Sequence, residues 1–173
     1  MTNADSSEPY RIMFVCLGNI CRSPAAQGVM EGLVRSRGLA GRIEVDSSGT
    51  ASYHIGKRPD ARMVAAAGRR GIQLTSFAKA FVGGDVERRD LVIAMDGENF
   101  GDIVRKTGKR ENVRLLSDYL GEGWPRDVPD PYYGAESGFE VVLDMLEAAC
   151  PEILSEWEAL KGRTSLADGQ SSM

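Results

Sequence analysis

Short apolar runs alternate with longer segments of helical periodicity along most of the chain. The apolar runs cover 11–16, 43–45, 91–95 and 113–116, and each is bounded by charged or turn-forming residues. The run at 91–95 has no polar alternation, as expected for a strand that is covered on both faces. The pattern therefore predicts four buried β-strands.

Between these runs, apolar residues recur at the three- and four-residue spacing of amphipathic helices. The first predicted helix begins at Ser23, as N-cap, with Pro24 in the first helical position, and Gly38 closes it. Three further helices are predicted at 60–70, 97–107 and 136–160. The side chains expected to face the core are Met63, Val64 and Ala67 of the second helix and Phe139, Val142, Leu143, Leu146, Ile153, Leu154 and Trp157 of the last.

Pro151 interrupts the last helical pattern. Because a proline inside a helix costs about 3 kcal/mol, we expect a kink or break near Cys150. The polar segments 1–9 and 163–173 are predicted to be flexible tails on a single domain that covers 10–162.

This alternation of strands and helices is typical of a three-layer α/β fold, a four-stranded parallel sheet with helices on both faces. Ligands bind such folds at the carboxyl ends of the strands. The first strand ends at Cys16, so we expect the functional site in the loop that follows.

The composition excludes several classes of function. The formal charge of −4 argues against a nucleic-acid partner, and the 42% hydrophobic content is enough for a buried core. No window approaches the roughly 20 apolar residues of a membrane span, and the amino terminus lacks an apolar signal core. A single histidine, His54, excludes a histidine-rich metal site, and three cysteines in no zinc-like spacing favour reduced thiols in the cytoplasm.

The segment from Cys16 to Arg22 carries the strongest chemical signal. Between a strand and a helix start, a loop can direct several backbone N–H groups inward, where they and the helix dipole bind an anion. Gly18 and Asn19 tolerate left-handed backbone angles, and the guanidinium of Arg22 matches two phosphate oxygens. The sequence therefore predicts a phosphate-binding loop after the first strand.

The same positive field favours a thiolate at Cys16, a nucleophile that needs no histidine base. The hydroxyl of Ser23 can donate a hydrogen bond to the sulfur when it becomes the leaving group. The structural alternative is a buried cysteine at the end of a strand, followed by an ordinary Gly-Asn turn. No Gly-Lys-Ser/Thr follows, so the loop is not the Walker A loop of a nucleoside triphosphatase.

A phosphocysteine mechanism also needs an acid for the leaving oxygen. Asp130, held between Pro129 and Pro131 after the fourth strand, is the best candidate, and Asp127 is a weaker rival. The alternative for Asp130 is that it only starts a turn, as Asp-Pro pairs often do.

Two motifs carry a family resemblance. Residues 15–24 read Val-Cys-Leu-Gly-Asn-Ile-Cys-Arg-Ser-Pro, residues 130–134 read Asp-Pro-Tyr-Tyr-Gly, and between them lie Val-Asp-Ser-Ser-Gly-Thr at 45–50 and Met95-Asp96. Over about 10–160 the sequence resembles the low-molecular-weight protein tyrosine phosphatases. The resemblance implies hydrolysis of phosphotyrosine through a phosphocysteine, with no metal or other cofactor. It implies tyrosine-phosphorylated proteins as partners, phosphate or other oxyanions in the site, and a monomer or weak dimer.

The resemblance also assigns roles to residues. Cys16 is the nucleophile, Arg22 binds the phosphate, and Asp130 protonates the leaving group and later activates water. The other expected binding and bracing residues are Leu17, Gly18, Asn19, Ile20, Cys21, Ser23, Ser47, Tyr53, Tyr132 and Tyr133. Among them, Asn19 and Ser47 brace the loop, and the three tyrosines wall the cleft. Ile20 favours tyrosine, because relatives that resemble arginine phosphatases carry Thr there.

The sequence leaves more than one role for some residues. Cys21 resembles the family's second loop cysteine, which can form a reversible disulfide with the nucleophile; the alternative is a small buried residue that only packs. Cys150 is expected in the core. His54 is either a surface residue or a contact at the substrate rim. Arg70 stands where the family often has a histidine that supports the loop. The basic pairs at 57–58 and 88–89 are solvated surface or steer an acidic phosphopeptide to the cleft.

Two other functions compete with the phosphatase. An arsenate reductase on the same fold needs two further cysteines to shuttle a disulfide, and only Cys21 and Cys150 are left. A non-catalytic anion-binding module needs neither the nucleophile nor the acid, both of which this chain retains.

Overall fold

The computed structural model describes residues 8–170, with side chains as far as residue 163. Its sheet has four parallel strands in the order β2-β1-β3-β4. The strands are β1 (Tyr10–Cys16), β2 (Ile43–Gly49), β3 (Leu91–Ala94) and β4 (Val113–Leu115). The predicted parallel sheet is confirmed. Of the predicted tails, residues 1–7 and 171–173 lie outside the described residues.

Four helices cover the sheet: α1 (Arg22–Ser36), α2 (Ala61–Gly68), α3 (Gly97–Thr107) and α4 (Ser137–Gln170). Along β1, Ile12 and Phe14 join the cluster formed with α1, α2 and α4, whereas Met13 and Val15 join the cluster that contains Ile103 of α3. Successive side chains of a strand point to opposite faces, so a wholly apolar strand requires cover on both. The three-layer arrangement follows.

The start of α1 differs from the prediction. The helix begins at Arg22, with Cys21 as N-cap, so Ser23 is not the N-cap. Pro24 lies within the first turn, where its missing N–H removes no intrahelical hydrogen bond. The end agrees with the prediction, because Gly38 has a φ of 69° and closes the helix.

Ser23 does not take the predicted N-cap role because its hydroxyl accepts a hydrogen bond from Asn19, in the loop before the helix.

In α2, Asp60 is the N-cap and Met63 and Ala67 are buried. Val64, which was predicted to face inward, is exposed.

A kink or a break was predicted near Cys150, and the break is wrong, because α4 continues through Pro151. All the apolar side chains predicted to face the core from this helix, on both sides of the proline, are buried. Burial of one large apolar side chain contributes about 1.5–3 kcal/mol, so several together outweigh the cost of one internal proline. The helix also continues to Gln170, so 163–170, predicted to be a flexible tail, has helical backbone. No helix between residues 8 and 170 is long and apolar enough to cross a membrane.

Candidate active site

The loop between β1 and α1 forms the centre of the site. Cys16 ends the strand, Arg22 begins the helix, and Asn19 between them has a φ of 57°, in the left-handed region. The backbone N–H of Asn19 lies 3.3 Å from Cys16 Sγ and donates to it. The loop therefore curls around the sulfur, with a backbone dipole and the amino end of α1 directed at it.

The side-chain amide of Asn19 locks this unusual backbone conformation. Its Nδ2 donates to Ser23 Oγ at 2.8 Å and to Ser47 Oγ at 2.9 Å, and its Oδ1 accepts from the backbone N–H of Lys79 at 3.0 Å. Ser47 Oγ in turn donates to Gln27 Oε1 at 2.7 Å. Both amide protons are thus used on β2 and α1, and the network ties the loop to both elements.

Ser23 Oγ lies 3.0 Å from Cys16 Sγ. A hydroxyl has one proton, and here the oxygen already accepts a proton from Asn19. The carbonyl of Ser48 is a more distant acceptor, at 3.4 Å. The serine proton can therefore point at the sulfur, which is the geometry needed to stabilise a thiolate.

Gly49 is a further positioning residue, which the sequence analysis did not single out. A Cβ atom there would lie 2.7 Å from the carbonyl oxygen of Leu17 and 3.1 Å from the N of Asn19. Beyond it, the N–H groups of Thr50 and Ala51 donate to the carbonyls of Cys16 and Leu17, both at 2.9 Å. The close approach of the end of β2 to the loop thus requires glycine.

Arg22 is buried, with 3% of its side chain exposed, and two acceptors fix its orientation. Its Nη1 donates to Asp96 Oδ2 at 2.6 Å and to the carbonyl of Val128 at 3.0 Å. Burial lowers the pKa of Arg22, but the charges of Cys16 and Asp96 raise it more, so the pKa lies above its usual value. The guanidinium therefore stays charged, and Nη2 is left toward the cavity.

Asp96 was not assigned a role from the sequence. It also caps α3, because its Oδ1 accepts from the N–H of Asn99 at 2.7 Å. One carboxylate thus joins the arginine of the loop to the amino end of α3. A sequence signal existed, an Asp directly after a buried strand, but its partner lies 74 residues away.

The two candidate acids differ in position. Asp130 lines the same cavity as Cys16, with Oδ2 at 3.7 Å from Arg22 Nη2 and Oδ1 accepting from the N–H of Tyr132 at 3.1 Å. Its side chain is 40% exposed. Asp127 instead accepts from the N–H of Gly97 at 2.9 Å and does not line the cavity. Geometry therefore favours Asp130 as the acid.

The cavity above the sulfur has a volume of about 80 Å³. Its floor is the loop and its rim is aromatic, with ring centroids of Tyr132 and Tyr133 4.8 Å apart. The lining residues are Cys16, Leu17, Gly18, Ile20, Cys21, Arg22, Tyr53, His54, Asp130, Tyr132 and Tyr133. Every predicted site residue except the buried Asn19, Ser23 and Ser47, which brace the loop from behind, lines this cavity.

His54 belongs to the rim. Its ring centroid lies 6.2 Å from that of Tyr53 and 6.1 Å from that of Tyr132, and its side chain covers Gly18 so closely that a Cβ there would lie 3.0 Å from His54 Cδ2. Of the two interpretations of His54 from the sequence, the structure supports the rim contact.

The three cysteines are free thiols in three different settings. Burial first, then the charges of Asp60 and Cys16, raises the pKa of Cys21 to about 12. Cys21 is therefore a neutral thiol at physiological pH. Cys150 is fully buried within α4, as predicted for a core residue, and burial raises the pKa of its thiol as well.

Arg70 does not support the loop. It pairs with three carboxylates of α4, at 2.5 Å from Glu140, 2.9 Å from Asp144 and 3.5 Å from Glu147. It therefore holds the end of α2 against α4, and the loop is braced by Asn19 and Ser47. In residues 8–163, no three His, Cys, Asp or Glu side chains are grouped so that they could hold a metal ion.

Comparison with known proteins gives one consistent result. The profile of the family described as "Low molecular weight phosphotyrosine protein phosphatase" matches residues 11–165. A low molecular weight protein-tyrosine-phosphatase of Streptomyces coelicolor is 40% identical over 90% of this chain and 99% of its own length. A protein tyrosine phosphatase of Entamoeba histolytica, solved with Hepes in the active site, has a TM-score of 0.85 at 37% identity, over 88% of this chain and 99% of that one. The Drosophila arginine phosphatase has a TM-score of 0.79 at 26% identity, over 84% and 96%.

Proposed function

This chain belongs to the low molecular weight phosphotyrosine protein phosphatase family, and we propose that it hydrolyses phosphotyrosine in proteins through a phosphocysteine intermediate, without a metal ion or other cofactor. One observation carries the proposal. The Cys16 thiol, the Arg22 guanidinium and the Asp130 carboxyl line one cavity, and the last two lie 3.7 Å apart. A nucleophile, an anion clamp and an acid thus meet where a phosphate ester would bind.

In the first step, the phosphate oxygens bind the N–H groups of the loop and Nη2 of Arg22. The Cys16 thiolate attacks phosphorus, the S–P bond forms, and the bond from phosphorus to the tyrosine oxygen breaks. Asp130, in its protonated form, gives its proton to that oxygen, so tyrosine leaves as a neutral phenol. The charge of Arg22 and the loop dipoles stabilise the transition state, which is the work a metal ion does in other phosphatases.

In the second step, a water molecule attacks phosphorus opposite the sulfur. The Asp130 carboxylate accepts a proton from the water, the S–P bond breaks, and inorganic phosphate leaves. The sulfur departs as a thiolate, which the N–H of Asn19 and the hydroxyl of Ser23 stabilise at 3.3 and 3.0 Å. The enzyme returns to its starting protonation state.

The rim supports an aromatic substrate. Tyr53, Tyr132 and Tyr133 can pack on a phenyl ring, and aromatic pairs contribute about 0.5–1.5 kcal/mol beyond the area they bury. Ile20 places an apolar side chain in the cavity wall, and this side chain offers no hydrogen-bond acceptor to the guanidino nitrogens of a phosphoarginine. We therefore propose phosphotyrosine over phosphoarginine as the substrate.

The setting of the cysteines supports a reducing compartment. Cys16 works only as a free thiolate, and Cys21 lines the same small cavity. We therefore place the activity in the cytoplasm, where thiols remain reduced. One chain supplies the nucleophile, the arginine and the acid, so the cavity needs no residue from a second copy, and we propose that the protein acts as a monomer or weak dimer.

The decisive experiment measures hydrolysis of an aryl phosphate in the presence of a chelator. Wild-type protein should be active and inhibited by vanadate, and Cys16→Ser should lower kcat by on the order of 10⁴-fold or more, because the weaker nucleophile cannot form the intermediate. Cys150→Ala, which removes a thiol from the core of α4, is the matched control and should retain the wild-type kcat.

Phosphotyrosine and phosphoarginine peptides of the same sequence then test the substrate class. Faster turnover of phosphotyrosine is expected, and faster turnover of phosphoarginine would overturn the assignment based on Ile20. Substantial activity in Cys16→Ser, or a strict requirement for metal, would refute the phosphocysteine mechanism.

A further inference from the structure

A second groove adjoins the active-site cavity across Leu17 and Tyr53, which line both. Its floor is Thr50 and Ala51, and its far wall is the carboxyl-terminal half of α3. It has a volume of about 440 Å³, larger than the cavity over the sulfur. We call it the α3 groove, defined by Leu17, Thr50, Ala51, Tyr53, Asp102, Arg105 and Lys106.

The α3 groove is fixed relative to the nucleophile. The N–H of Thr50 donates to the carbonyl of Cys16, and that of Ala51 donates to the carbonyl of Leu17, both at 2.9 Å. A group bound in the groove therefore lies at a set distance from the reacting sulfur. This is the property that a subsite needs in order to select one position of an extended substrate.

The groove has a net positive charge. Arg105 is ion-paired with Asp102, so these two charges largely cancel. Lys106 is exposed and forms no ion pair with the side chains that the structure describes. By contrast Arg62, near the other side of the cavity, is held by Asp60 at 2.9 Å and by the carbonyl of Tyr132 at 3.0 Å. Lys106 is thus available to a ligand.

We propose that the α3 groove binds an acidic side chain of the phosphotyrosine protein, close in sequence to the phosphotyrosine, through Lys106. The inference rests on the proposed function, since it places the phosphotyrosine ring against Tyr53. From there the substrate chain crosses the ridge formed by Leu17 and Tyr53 and enters the groove. A carboxylate complements the net positive charge and contributes to substrate choice rather than to chemistry.

The basic pair at 88–89 is not placed to bind an acidic side chain of the substrate. Arg89 pairs with Asp46 at 2.5 Å and Arg88 with Asp85 at 3.0 Å. Both precede β3 and therefore lie at the amino end of the sheet, away from the cavity. The sequence left this pair either as solvated surface or as a site that steers an acidic phosphopeptide, and the structure pairs both arginines with carboxylates of the protein itself.

The test uses phosphotyrosine peptides in which one Glu is moved a position at a time on either side of the phosphotyrosine, each matched by a Gln peptide. For the wild-type protein at low salt, the best Glu peptide should have a kcat/KM roughly two- to fivefold above its Gln partner. The preference should shrink at high salt, where an exposed charge pair is screened.

Three variants test the proposal, because it predicts a different change in the preference for Glu in each of them. Lys106→Gln should abolish the preference for Glu, and Asp102→Asn, which removes the opposing charge, should enlarge it. Lys109→Gln removes the same charge nearby, but Lys109 pairs with Glu87 and does not line the groove, so its preference should equal that of the wild type. All three should hydrolyse p-nitrophenyl phosphate like the wild type, because that substrate leaves the groove empty.

The outcomes separate the groove from the proposed function. Equal preferences in Lys106→Gln and wild type, or an equal loss in Lys109→Gln, would overturn the groove and leave the phosphatase intact. The same holds if the wild type turns over every peptide without a preference for Glu. If the wild type hydrolyses neither the peptides nor the aryl phosphate, the proposed function itself fails.

Discussion

The two ends of the parallel sheet both carry arginines and carboxylates, but they are built differently. The cavity at the carboxyl end is small, about 80 Å³, and the groove at the amino end is large, about 930 Å³. We call the latter the amino-end groove; its charged lining residues are Glu8, Arg11, Glu31, Arg35, Glu44, Asp46, Glu87, Arg88, Arg89 and Asp90. None of the lining residues that the structure describes carries a thiol or a hydroxyl.

Helix α1 spans the distance between these two regions and gives each a different end. Its first residue, Arg22, faces the small cavity, whereas Val34 and Arg35 of its last turn line the amino-end groove. The amino end of a helix attracts anions and the carboxyl end repels them. The helix dipole therefore favours a bound phosphate at the smaller site and disfavours one at the larger groove.

The arginines at the two ends of the sheet also differ in their hydrogen-bond partners. At the amino end, Arg89 donates from Nε and Nη2 to Asp46, and Arg11 donates to Glu44, so their charges are neutralised within the protein. At the carboxyl end, Arg22 is held by Asp96 and Val128 through Nη1, and Nη2 remains directed at the cavity. Arginine side chains thus stabilise the fold at the amino end of the sheet, whereas at the carboxyl end the arginine is directed at the cavity.

Among the tests that compare the two ends, the largest expected effect comes from replacing these arginines in parallel. Arg22→Lys keeps the charge but loses the fork that grips two phosphate oxygens, so kcat for an aryl phosphate should fall about 10²- to 10³-fold. Arg89→Lys should leave kcat unchanged. Steady-state kinetics on both variants, with thermal unfolding to confirm folding, makes the comparison; an equal loss in the two variants would show that the two ends do not differ in function.

The second-largest effect distinguishes the two candidate acids, Asp130 and Asp127. Asp130→Ala should lower kcat for phenyl phosphate about 10²-fold, and less for p-nitrophenyl phosphate, whose leaving group needs no proton. Asp127→Ala should lower the thermal midpoint, because the N–H of Gly97 loses its acceptor, and should retain kcat. A larger kinetic loss in Asp127→Ala would move the acid role to that residue.

The smallest effect concerns stability at the amino end. Burial raises the pKa of Asp46, but the hydrogen bonds from Arg89 and Lys79 outweigh burial and lower it. Because the pKa is lower in the folded than in the unfolded protein, its contribution is complete above the unfolded value, about 3.9, and is lost as the pH falls through the folded value.

Asp46→Asn should therefore cost about 1 kcal/mol at neutral pH, as a difference in the free energy of unfolding from denaturant titration, with kcat unchanged. The difference should narrow below about pH 4. A difference that stays constant down to the acid unfolding transition would contradict this role. Glu44→Gln, in a more exposed pair with Arg11, is the control and should cost less.

Local signals made much of the site predictable. The strand that ends at Cys16, the Gly-Asn pair and the nearby Arg22 indicate a phosphate loop because backbone geometry and charge there depend on neighbours in sequence. The four strands and α3 could be predicted for the same reason, since a buried strand or an amphipathic helix is recorded in local periodicity.

Other features could not be predicted because their partners are distant in sequence. Ser23 matches an N-cap by its local pattern, yet its hydroxyl binds Asn19 and lies beside the Cys16 sulfur. Pro151 indicates a break by itself, yet the buried stripe on both sides of it keeps α4 continuous. In both cases tertiary contacts contribute more free energy than the local preference.

The sequence by itself determined the order of strands and helices along the chain and indicated Cys16, Arg22 and Asp130 as the candidate nucleophile, anion-binding arginine and acid, because each is marked by residues a few positions away. Only the tertiary structure decided which groups hold them in place. Asp96 for Arg22, Gly49 for the loop and Gln27 for Ser47 come from separate elements, and the packing of the sheet brings them together. The tertiary structure also assigned Arg70 to α4 and Lys106 to the α3 groove, because a charge has a role only once its neighbours are fixed in space.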